Sequence, residues 1–142
     1  MADRIEVYRG VVHPWHHDQF GHMNVRHYAP FFDDATFHLF SSLGLTYPVM
    51  IAEHGVHTVT AVATTTFRQE LVAGDLVVID GAVTRIGSKS VTFQLRMRHV
   101  ATGTVHATYD TTEVFFDPET RGSAPIPDAI RQVLARHLVQ ED

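Results

Sequence analysis

One stretch of this chain has helical periodicity, and the segments before and after it mostly repeat every second residue. Tyr28, Phe31, Phe32, Ala35, Leu39 and Leu43 recur at the spacing that puts apolar side chains on one face of a helix. Gly44 is the expected stop. Pro30 sits badly deep inside a helix, so the regular helix is expected to begin near Tyr28 or to follow a distorted turn. Residues 45–55 read as irregular, with Pro48 and Gly55 as breakers. The expected strands cover residues 5–13, 56–70, 76–86, 91–98 and 105–116. The clearest is the fourth, where Val91, Phe93, Leu95 and Met97 alternate with Thr92, Gln94, Arg96 and Arg98. Val56 to Glu70 is rich in Thr and Val, whose branched side chains favour extended backbone. In the first strand, Ile5, Val7, Arg9 and Val11 fall on one face, with Glu6, Tyr8 and Val12 on the other; Pro14 ends it. After a loop from Asp117 to Pro125, Pro127 and Asp128 suit the first turn of a short C-terminal helix. Its apolar side is Ile130, Val133, Leu134 and Leu138. One strand, one long helix, then strands joined mostly by short turns predicts an α+β fold, an antiparallel sheet with a helix laid across it. At 142 residues, with no repeat or linker, residues 1–142 read as one domain.

The stretch from Trp15 to Asn24 delivers most of the chemically capable side chains to the start of that helix. Unpaired backbone N–H groups and the helix dipole favour developing negative charge at such a place. Asp18 is an obvious candidate for chemistry there, although a loop aspartate also serves in Asx turns and helix caps. His16, His17, Asp18, His22 and His27 crowd the region and raise the question of a metal. No His-Glu-x-x-His is present, and loop spacing does not define a tetrahedral site, so no metal is assigned.

Composition narrows the classes. A net charge of −5 argues against nucleic acid as the main partner. No apolar run approaches the roughly 20 residues of a membrane span, so no membrane partner is expected. The first residues lack a basic-then-apolar signal pattern, which gives a cytoplasmic expectation. The sequence has no cysteine, which excludes thiol nucleophiles, disulfides and cysteine-ligated metals.

Asp18-x-x-Gly21-His22-Met23-Asn24-x-x-x-Tyr28, placed between the first strand and the long helix, resembles the hotdog-fold acyl-CoA thioesterases, nearest to the 4-hydroxybenzoyl-CoA thioesterase branch. Gly74-Asp75 before the third strand and the Gly87 to Ser90 turn are similar to that family as well. Two positions depart from it: His16 stands where many relatives carry a second acid, and Val25 where some carry a histidine.

The resemblance implies a hotdog fold, about five antiparallel strands wrapped around the long helix. It implies a homodimer or homotetramer with active sites at the subunit interface. It also implies hydrolysis of an acyl-CoA to a carboxylate and free coenzyme A, with no cofactor beyond the coenzyme A of the substrate. Asp18 would attack the thioester carbonyl or activate water; an ordinary aspartate is ionised at neutral pH. The backbone N–H of Val25 is the best candidate for the thioester oxygen. His22 and Asn24 either orient the loop, the carbonyl or a water, or form a loop-stabilising pair. Gly21 lets the backbone approach substrate, and Tyr28 reads as packing. Trp15, Phe20, Phe31, Met50 and His57 are candidate acyl-pocket residues. Arg85, Lys89 and Arg121 are candidates for the phosphates of coenzyme A. Asp33 and Asp34 are rival carboxylates, because another hotdog branch carries its acid on the helix. The competing readings are a hotdog hydratase or dehydratase and a non-catalytic acyl-CoA or small-ligand binder.

Overall fold

A computed structural model describes residues 3–139; the expected domain limits at 1 and 142 lie outside that range. The chain runs β1 (Ile5–Val11), α1 (Tyr28–Ser42), α2 (Tyr47–His54), β2 (His57–Phe67), β3 (Leu76–Ile86), β4 (Ser90–His99), β5 (Val105–Asp117), β6 (Gly122–Ser123) and α3 (Asp128–Arg136). The five long strands form one antiparallel sheet in the order β1-β3-β4-β5-β2, with β6 a two-residue addition to β5. This is the hotdog arrangement, the sheet curled around the central helix α1.

The apolar stripe of α1 explains why it occupies that place. Phe32, Ala35 and Leu39 are completely buried. Phe32 stacks on Tyr109 of β5 at 4.9 Å, and Phe40 meets Phe93 of β4 edge-on at 5.1 Å. Truncating a side chain such as Leu39 to alanine in this setting costs about 2–5 kcal/mol. Pro30 sits in the first turn of α1, where its missing N–H breaks no helical bond.

Three expectations need correction. Residues 45–55 are not irregular: Tyr47–His54 is helical. Thr46 caps it by accepting the Val49 N–H at 3.4 Å, Pro48 occupies its first turn, and Gly55 ends it at φ +68°. The two residues that read as breakers are its boundaries. In β1 the alternation breaks at Val7, where a bulge shifts the register between Glu6 and Tyr8. Tyr8 therefore packs on Phe31 and His38 of α1, while Arg9 and Val11 face outward. Finally, Leu138 is exposed, because α3 ends at Arg136 and helical spacing no longer applies; its backbone instead bridges to Val83.

Candidate functional site

The loop between β1 and α1 is a small antiparallel ladder closed by a tight turn. Asp18 N–H donates to the His22 carbonyl at 3.0 Å, and Asn24 N–H donates to the His16 carbonyl at 2.9 Å. Gly21 takes φ +86°, a left-handed conformation that side-chain-bearing residues avoid, and its N–H returns to the Asp18 carbonyl. The ladder sets Asp18 opposite His22. Asp18 is half-buried, and its Oδ1 accepts the Phe20 N–H at 2.9 Å, an Asx turn. Its Oδ2 makes no hydrogen bond among the described residues. One oxygen thus fixes the side chain while the other stays available.

Asn24 caps the 3-10 turn Val25–His27, accepting the Arg26 N–H at 2.9 Å through its side chain. That turn runs straight into α1. The Val25 N–H, first in the turn, meets no acceptor among the described residues. Around it lie large apolar side chains in solvent: Trp15 is 70 % exposed, Phe20 72 % and Val25 60 %.

The histidines here are engaged one by one. His16 Nδ1 accepts the His13 N–H at 2.8 Å, and His17 Nε2 accepts the Ala73 N–H at 2.7 Å. Burial, and then the neighbouring imidazoles of His27, His13 and His17, hold the His16 pKa below its ordinary value. His22 pairs through Nε2 with Glu70 at 3.3 Å rather than with Asn24. Among the described residues no three His, Asp or Glu side chains gather as a metal site. Tyr28 is buried, edge-on to Phe67 at 5.0 Å, and burial raises its phenol pKa.

A cavity of about 570 Å³ opens toward the other end of α1, between the stretch of that helix from Asp33 to Ser41, α2 and the first residues of β2. Met50 and His57 line it, as does Asp33. Trp15, Phe20, Gly21 and Phe31 do not: they stay with the Asp18 loop, where Phe31 packs against His16 at 5.5 Å. Asp34 is exposed on α1 and does not line the cavity. Sequence reasoning missed Thr60, Thr111 and Glu113. Glu113 Oε1 accepts hydroxyls from both Thr60 and Thr111 at 2.9 Å, and Glu113 and Thr60 line the cavity. One signal was present: Tyr109, Thr111, Glu113 and Phe115 alternate along β5, which puts an acid on its inward face.

The candidate coenzyme A residues also lie away from Asp18 within one chain. The Met23 N–H bonds to the Leu71 carbonyl, which ties the Asp18 loop to the β2–β3 connection. Arg85 and Lys89 lie at the far end of β3 and in the turn after it, and Arg121 in the turn after β5. Lys89 Nζ approaches Ser123 Oγ at 3.5 Å, next to Arg121. Eleven strand residues at about 3.3 Å each separate the two ends by roughly 30 Å.

Comparison with known proteins agrees with this fold. The sequence profile of the thioesterase-like superfamily matches residues 12–134. No curated protein matches the chain significantly in sequence. Among solved structures, Staphylococcus aureus SAV2348 in complex with CoA is 20 % identical with a TM-score of 0.83, covering 96 % of this chain and 85 % of that one. Slr0204 from Synechocystis, a 1,4-dihydroxy-2-naphthoyl-CoA thioesterase, is 16 % identical with a TM-score of 0.76, over 92 % and 95 % of the two chains. Escherichia coli YbaW, a probable thioesterase, gives 20 % and 0.79, over 95 % and 100 %. The profile match spans most of the chain and the folds agree over 85 % or more of each chain: the chain belongs to the thioesterase-like superfamily, as a hotdog-fold enzyme of the thioester-hydrolase class.

Proposed function

We propose that this protein hydrolyses an acyl-CoA, with Asp18 as the reacting carboxylate and the Val25 N–H as a donor to the thioester oxygen. The observation that carries this reading is the Asp18 loop: among the described residues, one carboxylate oxygen is held by a backbone N–H and the other is unengaged, beside a helix start whose first N–H meets no acceptor. As nucleophile, the Asp18 oxygen adds to the carbonyl carbon and the C–S bond breaks. The coenzyme A thiolate leaves and takes up a proton, and water cleaves the resulting anhydride to two carboxylates. As general base, Asp18 takes a proton from the attacking water instead. In either route negative charge builds on the thioester oxygen, where a fixed N–H is worth about 10²–10³ in rate.

The working unit in this proposal is a pair of chains. The outer edge of β2 is eleven residues long, unpaired in the sheet order, and carries the exposed Val59, Val62 and Phe67. Such an edge invites a second copy. A two-fold axis makes β2 pair with itself antiparallel. The Asp18 loop, beyond the end of one β2, then lies alongside the start of the partner's β2. The cavity, Lys89 and Arg121 belong to that end. One copy thus supplies the carboxylate, and the other the acyl cavity and the cations for the coenzyme A phosphates.

Thiol release from a panel of short, long and aromatic acyl-CoAs tests the activity. Asp18→Asn is expected to lose about 10²–10⁴ in kcat with unchanged thermal stability and near-unchanged KM. Hydrolysis that survives in Asp18→Asn moves the reaction to another carboxylate, with Asp33 and Asp34 next to be substituted. Absorbance change with an enoyl-CoA in place of thiol release would assign the protein to the hydratases.

A further inference from the structure

Glu113 is buried at 4 % exposure, and the thioesterase chemistry above does not use it. Its nearest partners are two hydroxyls. Thr60 Oγ lies 2.9 and 3.0 Å from its two oxygens and shares a single hydrogen between them, and Thr111 Oγ lies 2.9 Å from Oε1. A carboxylate offers about four acceptor positions, and here two hydrogens serve them. No ion pair involves Glu113 among the described residues, and the cavity it faces has no Lys or Arg in its lining, the imidazoles of His38 and His57 being its basic groups. Asp33 adds a second carboxylate to the lining, while Phe37, Phe40 and Tyr47 supply aromatic walls. A buried acid without a counter-charge is costly unless something compensates it, and aromatic walls favour a cation over a neutral guest.

We propose that this cavity receives an acyl group ending in a positively charged nitrogen, with Glu113 as the specificity-determining carboxylate. The proposal rests on the acyl-CoA hydrolase reading and names the substrate class of that site. The cationic nitrogen supplies the charge that Glu113 lacks, and an N–H-bearing ammonium also fills its open acceptor positions. The acyl chain lies along the apolar wall between α1 and α2, with its thioester toward the mouth.

Thiol release is measured with four acyl-CoAs of similar size. These are γ-trimethylammoniobutanoyl-CoA, the hydrocarbon analogue in which carbon replaces nitrogen, ω-aminohexanoyl-CoA and ω-hydroxyhexanoyl-CoA. The wild-type kcat/KM is expected to favour at least one cationic substrate over the hydrocarbon by about tenfold or more, the range of one charge-assisted contact. In Glu113→Gln that ratio falls to about one while hydrolysis of the hydrocarbon stays within about threefold. A merely structural role for Glu113 lowers all four rates together and leaves the ratio alone. Preference for the amine over the quaternary nitrogen assigns a direct N–H contact; equal preference assigns charge alone. An unchanged ratio in Glu113→Gln, or a wild-type preference for the hydroxyl or hydrocarbon substrate, overturns the proposal. If the wild type releases thiol from the wider acyl-CoA panel but from none of these four, the proposal is overturned; if it releases thiol from no acyl-CoA at all, the hydrolase reading fails, and calorimetry with γ-trimethylammoniobutanoate decides the cavity alone. Binding that Glu113→Gln abolishes supports the cation site; no binding, or equal binding, overturns it.

Discussion

The two ends of α1 have opposite equipment. At its start, Asp18, the Val25 N–H and the exposed rings of Trp15 and Phe20 lie on the surface. At its finish there is a cavity with an aromatic wall, a buried acid and the capped first turn of α2, and the Asp18 motif lies elsewhere. One end has the groups for acyl transfer and the other has room for an acyl chain. The part of α1 that lines the cavity runs from Asp33 to Ser41, roughly 8–20 Å beyond Tyr28 at 1.5 Å per residue. Neither end is a complete site, so the comparison teaches that two copies must meet if this chain is to act as proposed.

Mixing two inactive variants attacks that conclusion most directly. Asp18→Asn removes the carboxylate, and Ser41→Trp fills the cavity that Ser41 lines. If the site is shared, half of the randomly mixed dimers are mixed and one of their two sites is whole, so activity returns to about a quarter of wild type. Thiol release after unfolding and refolding the two together is the measurement. No recovery places each site within one chain.

Val62→Lys sharpens the same point from the β2 edge. A lysine on an edge strand opposes pairing, so sedimentation should show single chains and thiol release should fall about tenfold or more, with the circular dichroism of the folded chain retained.

A third carboxylate serves as a stability control for the second end. Asp80 is as buried as Glu113 but faces three guanidinium groups: Arg96 Nε at 2.9 Å, Arg98 Nε at 2.6 Å and Arg4 Nη1 at 3.6 Å. Removing it leaves those cations crowded together. Asp80→Ala is expected to cost about 2–4 kcal/mol, discounted because the arginines are partly exposed, and to lower Tm by roughly 10 °C. Glu113→Gln, which strands no cation, should change Tm by only about 2 °C or less. Equal destabilisation of the two variants would make Glu113 a structural group like Asp80.

The smallest effect belongs to the Asp18 end and to pH. His16 accepts the His13 N–H through Nδ1, so protonation breaks that bond, and burial holds its folded pKa below the unfolded value. As pH falls, the unfolded chain takes up the proton first. The contribution of His16 is therefore whole above the ordinary imidazole range and is lost as pH falls through the lowered folded pKa. In His16→Gln, which keeps an acceptor but cannot titrate, the fall of Tm across this window should be shallower than in wild type. Parallel curves would remove His16 from the loop's stability.

Much of the architecture was legible because it depends on near neighbours in the chain. The stripe from Tyr28 to Leu39, the alternation of β4 and the turn residues around Gly87 each set a local backbone and the face it buries. Pro48 and Gly55 misled because the same residues that end one element also cap the next. The β1 bulge escaped because it adds one residue against a partner strand that periodicity does not see.

By itself, then, the sequence determined the element types apart from α2, the inward faces apart from those of β1 and Leu138, and the motif that brings an aspartate to the start of a helix. Only the tertiary structure decided that Trp15 and Met50 belong to opposite ends of α1. It also decided that Thr60 reaches Glu113 from 53 residues away and that both line one cavity. The reason is physical. Local spacing fixes dihedral preference and amphipathic face, whereas the β2–β5 pairing and the space left beneath α1 are set by contacts between segments far apart in the chain.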